Sequence, residues 1–227
     1  MNFYLWANII VCAFALCGFI RGAVEFFRPR KALYGKMITI AMLCIIIGRL
    51  FNIIRLLSGG NLNEHFQLGF LGIIGSIMFF FSANYGAIDS IVDDGTKTFF
   101  KYRLIGLAAP AAVVLLYFPL FLTGDISLRW RVQTAVLVLF EALSSYFHLK
   151  HLVMPDVEFG VVRGLKPYNL FALLYMVSSV IECFALSRGN AKLTFASCFL
   201  SAVFILSMMI LTVRGLNRWK KERGWNI

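Results

Sequence analysis

The sequence predicts an all-α integral membrane protein: a bundle of seven transmembrane helices with the N-terminus outside and the C-terminus in the cytoplasm. Three observations predict it. The composition is apolar and gathered into long blocks, turn-forming residues separate the blocks, and Lys and Arg are distributed one-sidedly. Of the 227 residues, 60% are hydrophobic and 15% charged, against about 45–50% and about 25% in soluble domains. Mean hydropathy is +0.80. A spanning helix needs about 20 apolar residues. Seven such segments with short connections fill positions 1–227 as a single transmembrane domain, without room there for a soluble catalytic domain.

Taken in order, the apolar blocks cover 3–21, 36–57, 67–90, 103–123, 130–151, 168–187 and 192–213. The first lacks a basic leader and a small-residue cleavage site and runs into Arg21, so it reads as a retained span rather than a signal peptide. Breakers separate the rest: Arg28-Pro29-Arg30-Lys31, Gly59-Gly60-Asn61, Asp93-Asp94-Gly95, Thr123-Gly124-Asp125, Met154-Pro155-Asp156 and Ser187-Arg188-Gly189-Asn190. Within the fourth block, Pro110 and Pro119 predict kinks. Gly69, Gly72 and Ser76 in the third, with Gly75 and Gly86 beside them, form a small-residue ridge suited to close contact with a neighbouring helix.

Orientation follows from charge. One set of helix ends holds sixteen Lys and Arg residues, among them Arg21, Lys36, Arg103, Lys150 and the tail residues Arg214 to Arg223; the other holds Arg55, Arg129, Arg131, Arg188 and Lys192. Cytoplasmic ends carry the excess of cations, and an odd number of spans then puts the N-terminus outside, in a multi-pass protein of the cell membrane. Trp6, Trp130 and Trp219 fall near block ends, where interfacial tryptophans belong.

The net charge of +11 is therefore no sign of nucleic-acid binding. The cations sit where they orient the chain and meet anionic lipid headgroups. Cys12, Cys17, Cys44, Cys183 and Cys198 all lie in apolar blocks and read as packing residues. No cofactor is expected. The only lysine of the seventh block is Lys192 at its edge, which excludes a retinal Schiff base within that helix. The two histidines of the fifth block are too few for a multi-histidine intramembrane zinc site.

Charge inside the blocks is the functional signal. A charged side chain at bilayer depth costs about 2.5–3.5 kcal/mol on insertion scales and calls for a partner or a water-filled cavity. Arg49, Glu141 and Glu182 are the three deep ones. Asn52 shares a helical face with Arg49, and Thr134, Glu141, Ser145 and His148 form one stripe. Tyr175, Ser178, Ser179 and Glu182 form another, and Thr194, Ser197 and Ser201 a third. These stripes predict that Arg49 contacts Glu141 or Glu182, and that the outer half of the bundle holds a polar cavity for a small polar ligand. A second cluster lies at the cytoplasmic end, where Ser82, Tyr85, Asp89 and Asp93 share a face near His148 and His151. It contains weak candidate metal ligands in Asp89, Asp93, His148 and His151, but pairing of the aspartates with loop cations such as Lys101 and Arg103 is the simpler expectation, and no metal is assigned.

Three functional readings stand on these residues. The first is a sensor or receptor-type bundle that binds a small ligand in the outer half and signals to a cytoplasmic protein. The second is a small-solute or proton-coupled transporter using Glu141 and Glu182. The third is a metal-dependent membrane enzyme at the Asp89, Asp93 and His148 end; catalytic residues are not assigned, and a non-enzymatic protein is the favoured expectation.

Overall fold

The computed structural model describes residues 3–28, 31–62, 67–89, 93, 95–122, 126–155 and 161–222, with side chains left out of the description at 161–163 and 218–222. It is helical throughout, with no strand among the described residues. Seven helices are long and apolar enough to cross a membrane: Phe3–Phe26, Leu33–Leu57, Gly69–Ile88, Lys97–Leu122, Leu128–Val153, Gly164–Ser187 and Ala191–Asn217. They are called the first to seventh spans below. Several overrun their apolar blocks at the end rich in Lys and Arg; the first continues through Arg21 to Phe26, and the last helix reaches Glu222. Long cationic side chains solvate such extensions while their stems lie along apolar surface.

Neighbouring contacts run from the first span to the second, third, fifth, sixth and seventh and back to the first. These six close a ring, and the third also touches the sixth. The fourth span packs on the fifth and stays peripheral, with Leu104, Leu107, Leu115, Leu116 and Phe118 exposed. Its prolines act as expected. The α-helix is interrupted at Leu107, three residues before Pro110, and turns into a π-helical segment at Phe118–Leu122 that contains Pro119. A proline supplies no N–H to the helical ladder and crowds the preceding turn, which is sufficient cause for both changes.

The small-residue ridge packs on the second span. A Cβ on Gly48 would lie 2.5 Å from Gly69 O, and one on Gly72 would lie 2.6 Å from Cys44 O, so the two backbones nearly touch there. Gly86 takes no part, having nothing within 4 Å of where its Cβ would be. A second close crossing sets Gly215 of the seventh span against Gly164 of the sixth, near the basic end. With lipid as solvent, approach of this kind supplies the dispersion contacts that hydrophobic burial supplies in water.

Lipid-facing positions are apolar, while the ring interior is markedly polar. Asn8, Arg49, Asn52, Asn84, Glu141, His148, Asn169 and Glu182 are all at most 3% exposed. Trp6 is half exposed, as an interfacial residue should be, but Trp130 at the start of the fifth span turns inward and is buried. Its proximity to the end of an apolar block carried no information about which way the ring points. The side chain of Trp219 lies outside the described residues. All five cysteines are unpaired; Cys183 and Cys198 are buried, and Cys17 faces outward.

Candidate functional site

A buried ionic cluster joins four spans near the end opposite the basic one. Arg49 of the second span donates from Nη1 to Glu182 Oε1 at 2.5 Å and from Nη2 to Glu182 Oε2 at 2.7 Å. Two parallel charge-assisted bonds of this kind match the guanidinium fork to a carboxylate and fix both side chains. The first span contributes Asn8, whose Oδ1 accepts from Arg49 Nη1 at 3.3 Å and from Asn52 Nδ2 at 3.0 Å. The seventh span brings Cys198 Sγ to 3.8 Å from Arg49 Nη1. Asn52 Oδ1 is buried and has no hydrogen-bond partner among the described residues. Glu182 thus supplies the partner expected for Arg49, and Glu141 does not.

Glu141 lies deeper, near the middle of the fifth span, and is fully buried. Its Oε1 is 2.5 Å from Ser179 Oγ of the sixth span, and its Oε2 has no partner among the described residues. The other predicted hydroxyls divide into two groups. Ser178 and Ser201 bond to each other at 2.7 Å, and Tyr175 OH meets Ser76 Oγ at 3.2 Å, tying the sixth span to the seventh and the third. Ser145, Ser197, Thr134 and Thr194 instead donate to carbonyls of their own chain, namely those of Ala142, Thr194, Trp130 and Asn190. Back-bonding of this kind satisfies a hydroxyl without a neighbour.

The cytoplasm-predicted end is built around a residue that the helical periodicity did not select. The third span passes from α-helix into a π-helical turn over Ala83–Ile88, and Asp89 N–H donates to Asn84 O, five residues back. In that geometry Asn84 and Asp89 face the same way. His151 bridges them, with Nδ1 3.0 Å from Asn84 Oδ1 and Nε2 2.8 Å from Asp89 Oδ1. Asn84 Nδ2 donates to Asn169 Oδ1 at 3.1 Å and lies 2.8 Å from His148 Nδ1, so one side chain joins the third, fifth and sixth spans. Tyr85, which an unbroken α-helix would put beside Asp89, is instead exposed and stacked on Phe81. π-turns recur at functional positions because they re-aim side chains. Ser82, also placed on that face, donates to Met78 O and faces outward.

Lys150 is the second residue whose place was misjudged. Counted as a boundary cation, it is 2% exposed and forms ion pairs with both Asp89 and Asp93, the latter at 2.9 Å. Asp93 is also gripped by Arg103, through Nε at 2.8 Å and through Nη2. Lys101 instead lies over the Tyr102 ring. Burial opposes ionisation of Asp89, but hydrogen bonds from His151 and Lys150 outweigh it and hold the carboxyl below its ordinary range. Hydrogen bonding from Arg103 holds Asp93 well below that range against the opposing effect of burial, with Lys150 and the Gly95 N–H adding to it. The four candidate ligands are engaged with protein partners, and no group of three His, Cys, Asp or Glu among the described residues is arranged to hold a metal ion. Asp94 and His65 lie outside the described residues.

Asn8, Asn84, Asn169 and Lys150 are therefore the members that sequence reasoning missed. A lone Asn in an apolar run was the available signal for the first three, since a carboxamide in hydrocarbon needs partners as a charge does. Comparison of the chain with protein-family models, with curated proteins and with solved structures gives no match.

Proposed function

We propose that the protein is a sensor-type bundle of the cell membrane, which takes a small polar ligand at the Arg49–Glu182 cluster and relays its arrival to a cytoplasmic protein at the basic end. The observation that carries this reading is that one helix serves both polar centres. Glu182 and Asn169 lie on the sixth span, thirteen residues or about 20 Å apart along its axis. Glu182 is held by Arg49, and Asn169 by Asn84 and His148. A ligand bearing a carboxylate or amide would compete with Glu182 for the guanidinium. Any shift of the sixth span that follows would strain the Asn169 bonds, so the two ends are coupled by a rigid element with discrete partners at each. The orphaned Asn52 Oδ1 is a further acceptor within reach of the same cluster.

A proton-coupled carrier is the second reading. It is favoured by Glu141, an intramembrane carboxyl with no cation against it among the described residues.

Accessibility tests the ligand reading. Cysteines placed singly at Ser178, Ser197 and Ser201, in a chain lacking the five native ones, should react with a small membrane-impermeant thiol reagent added on the Asn190 side. Protection of all three, with Asn190→Cys labelled in parallel, defeats it. Accumulation of a solute in vesicles, dependent on Glu141, would favour the carrier instead.

A further inference from the structure

Glu141 and Ser179 share a hydrogen-bond arrangement with fewer hydrogens than contacts. Ser179 Oγ is 2.5 Å from Glu141 Oε1 and 2.8 Å from Met176 O. Both distances are those of hydrogen bonds, but a serine has one hydroxyl hydrogen. The Met176 carbonyl can only accept. When the serine hydrogen lies on the Met176 bond, the back-bond that Ser197 makes to Thr194 O, the remaining contact is closed only by a hydrogen on the carboxyl. An ionised carboxylate would leave two oxygens competing for one hydrogen, and Oε2 with none.

The surroundings agree. No Lys, Arg or His among the described residues is paired with Glu141, and Arg49 is engaged by both oxygens of Glu182. The titratable side chains near it on the sixth span are Tyr175, Cys183 and Glu182, of which Tyr175 meets Ser76 and Glu182 holds Arg49. The third span offers no titratable side chain between Gly69 and Phe81. On the fifth span itself His148 lies two turns away, bound to Asn169. From the fourth span, Tyr117 donates to Arg131 O near the opposite end of the fifth. Ser144, three residues along the same helix, is buried with no hydroxyl partner among the described residues and offers no charge. An anion placed here would be unpaired in a low-dielectric layer, the most costly condition for a carboxyl.

We propose that Glu141 is a proton-binding site at the middle of the bundle, its carboxylic O–H donating to Ser179 Oγ. Binding is a single balanced step: a proton joins Oε1, one O–H bond forms, and the net charge of the layer rises from minus one to zero. Loss of that proton would leave a buried anion with at most one donor, so deprotonation requires a rearrangement that admits water or a cation. The bundle would thus have a packing coupled to proton occupancy. This goes beyond the ligand reading and stands without it.

Infrared spectroscopy of the full chain in phospholipid bilayers at neutral pH tests the proposal. A protonated-carboxyl C=O band is expected, downshifted in deuterium oxide where exchange occurs and lost in Glu141→Gln. Ser179→Ala leaves the carboxyl in place but removes its acceptor, and should shift the band upward without abolishing it. Glutamine is nearly isosteric with the acid, and a helical circular dichroism spectrum equal to that of the parent shows that Glu141→Gln is folded. Absence of the band in the parent overturns the proposal. So does its survival in folded Glu141→Gln, or a band unmoved by Ser179→Ala.

Discussion

Arg49 and Glu182, 133 positions apart in the chain, meet in a two-pronged ion pair, and each is at most 2% exposed. The pair links the second span to the sixth across the ring. Burial makes it a point of vulnerability rather than of net stability. The desolvation cost of two ions offsets most of their attraction, and removing one partner strands the other.

Arg49→Ala is therefore expected to destabilise the bundle by about 3–5 kcal/mol. Arg49→Ala combined with Glu182→Gln should recover much of that loss, while Arg49→Ala combined with Glu141→Gln should recover none. Thermal unfolding of the purified protein in one lipid–detergent mixture distinguishes the three. Equal recovery by both double variants would show that the guanidinium has no dedicated partner.

Close approach of the second and third spans gives a second expectation. Gly48→Ala places a methyl 2.5 Å from a backbone oxygen that cannot step aside without moving the helix, and should cost about 1–3 kcal/mol. Gly86→Ala meets nothing within 4 Å and should be neutral or stabilising by about 0.5–1 kcal/mol, because it removes backbone freedom from the unfolded chain. Similar losses from both would contradict the packing described.

Much of this was legible before the structure. Spans were found because a block long enough to cross a membrane leaves a composition signal, and Arg49 and Glu182 because charge in hydrocarbon demands explanation. Choosing between Glu182 and Glu141 was not possible. Both lie on polar stripes, and sequence depth carries an uncertainty of several residues, whereas pairing is decided by the rotation of the sixth span. Lys150 was misplaced because closeness to a helix end does not say which way a side chain points. The peripheral fourth span looked like any other block, since lipid-facing and buried apolar residues are chemically alike.

Charge bias predicts sidedness. A reporter fused after Ile227 should be cytoplasmic, and one inserted at Asn61 external, because Lys and Arg in the sequence are distributed so one-sidedly between alternate connections. Protease protection of both reporters in sealed vesicles checks this. Finding them on one side would mean that the number of spans between them is even.

Asp89 and Asp93, beyond the third span, are expected to set the acid limit of stability. Both are held below their ordinary range, so each takes up a proton more readily in the unfolded chain than in the folded one. The stability they contribute is complete above the unfolded value, about 3.9 for Asp, and declines as pH falls through the lower folded values. Thermal midpoints should therefore drop below about pH 4, and Asp93→Asn should flatten that drop while lowering the midpoint at neutral pH. An unchanged acid limb in Asp93→Asn would show that other carboxyls govern it.

Asn84 provides the sharpest contrast between periodicity and structure. An uninterrupted α-helix would aim Tyr85 at the network and rank Asn84 as incidental. The π-turn reverses this, setting Asn84 between His148, His151 and Asn169 and leaving Tyr85 half exposed. Truncating that carboxamide strands His151 Nδ1 and leaves His148 and Asn169 only each other, and a buried polar group left unpaired costs about 1–3 kcal/mol. Asn84→Ala should accordingly lose about 1–3 kcal/mol. Tyr85→Phe, which removes only an exposed hydroxyl, should change stability by less than about 0.5 kcal/mol. The same loss should show in backbone amide exchange, faster around Asn169 in the sixth span and His148 in the fifth, but not near the Gly48–Gly72 crossing. If Tyr85→Phe proves the more damaging of the two, the third span continues as an α-helix past Ser82 and the network is centred elsewhere.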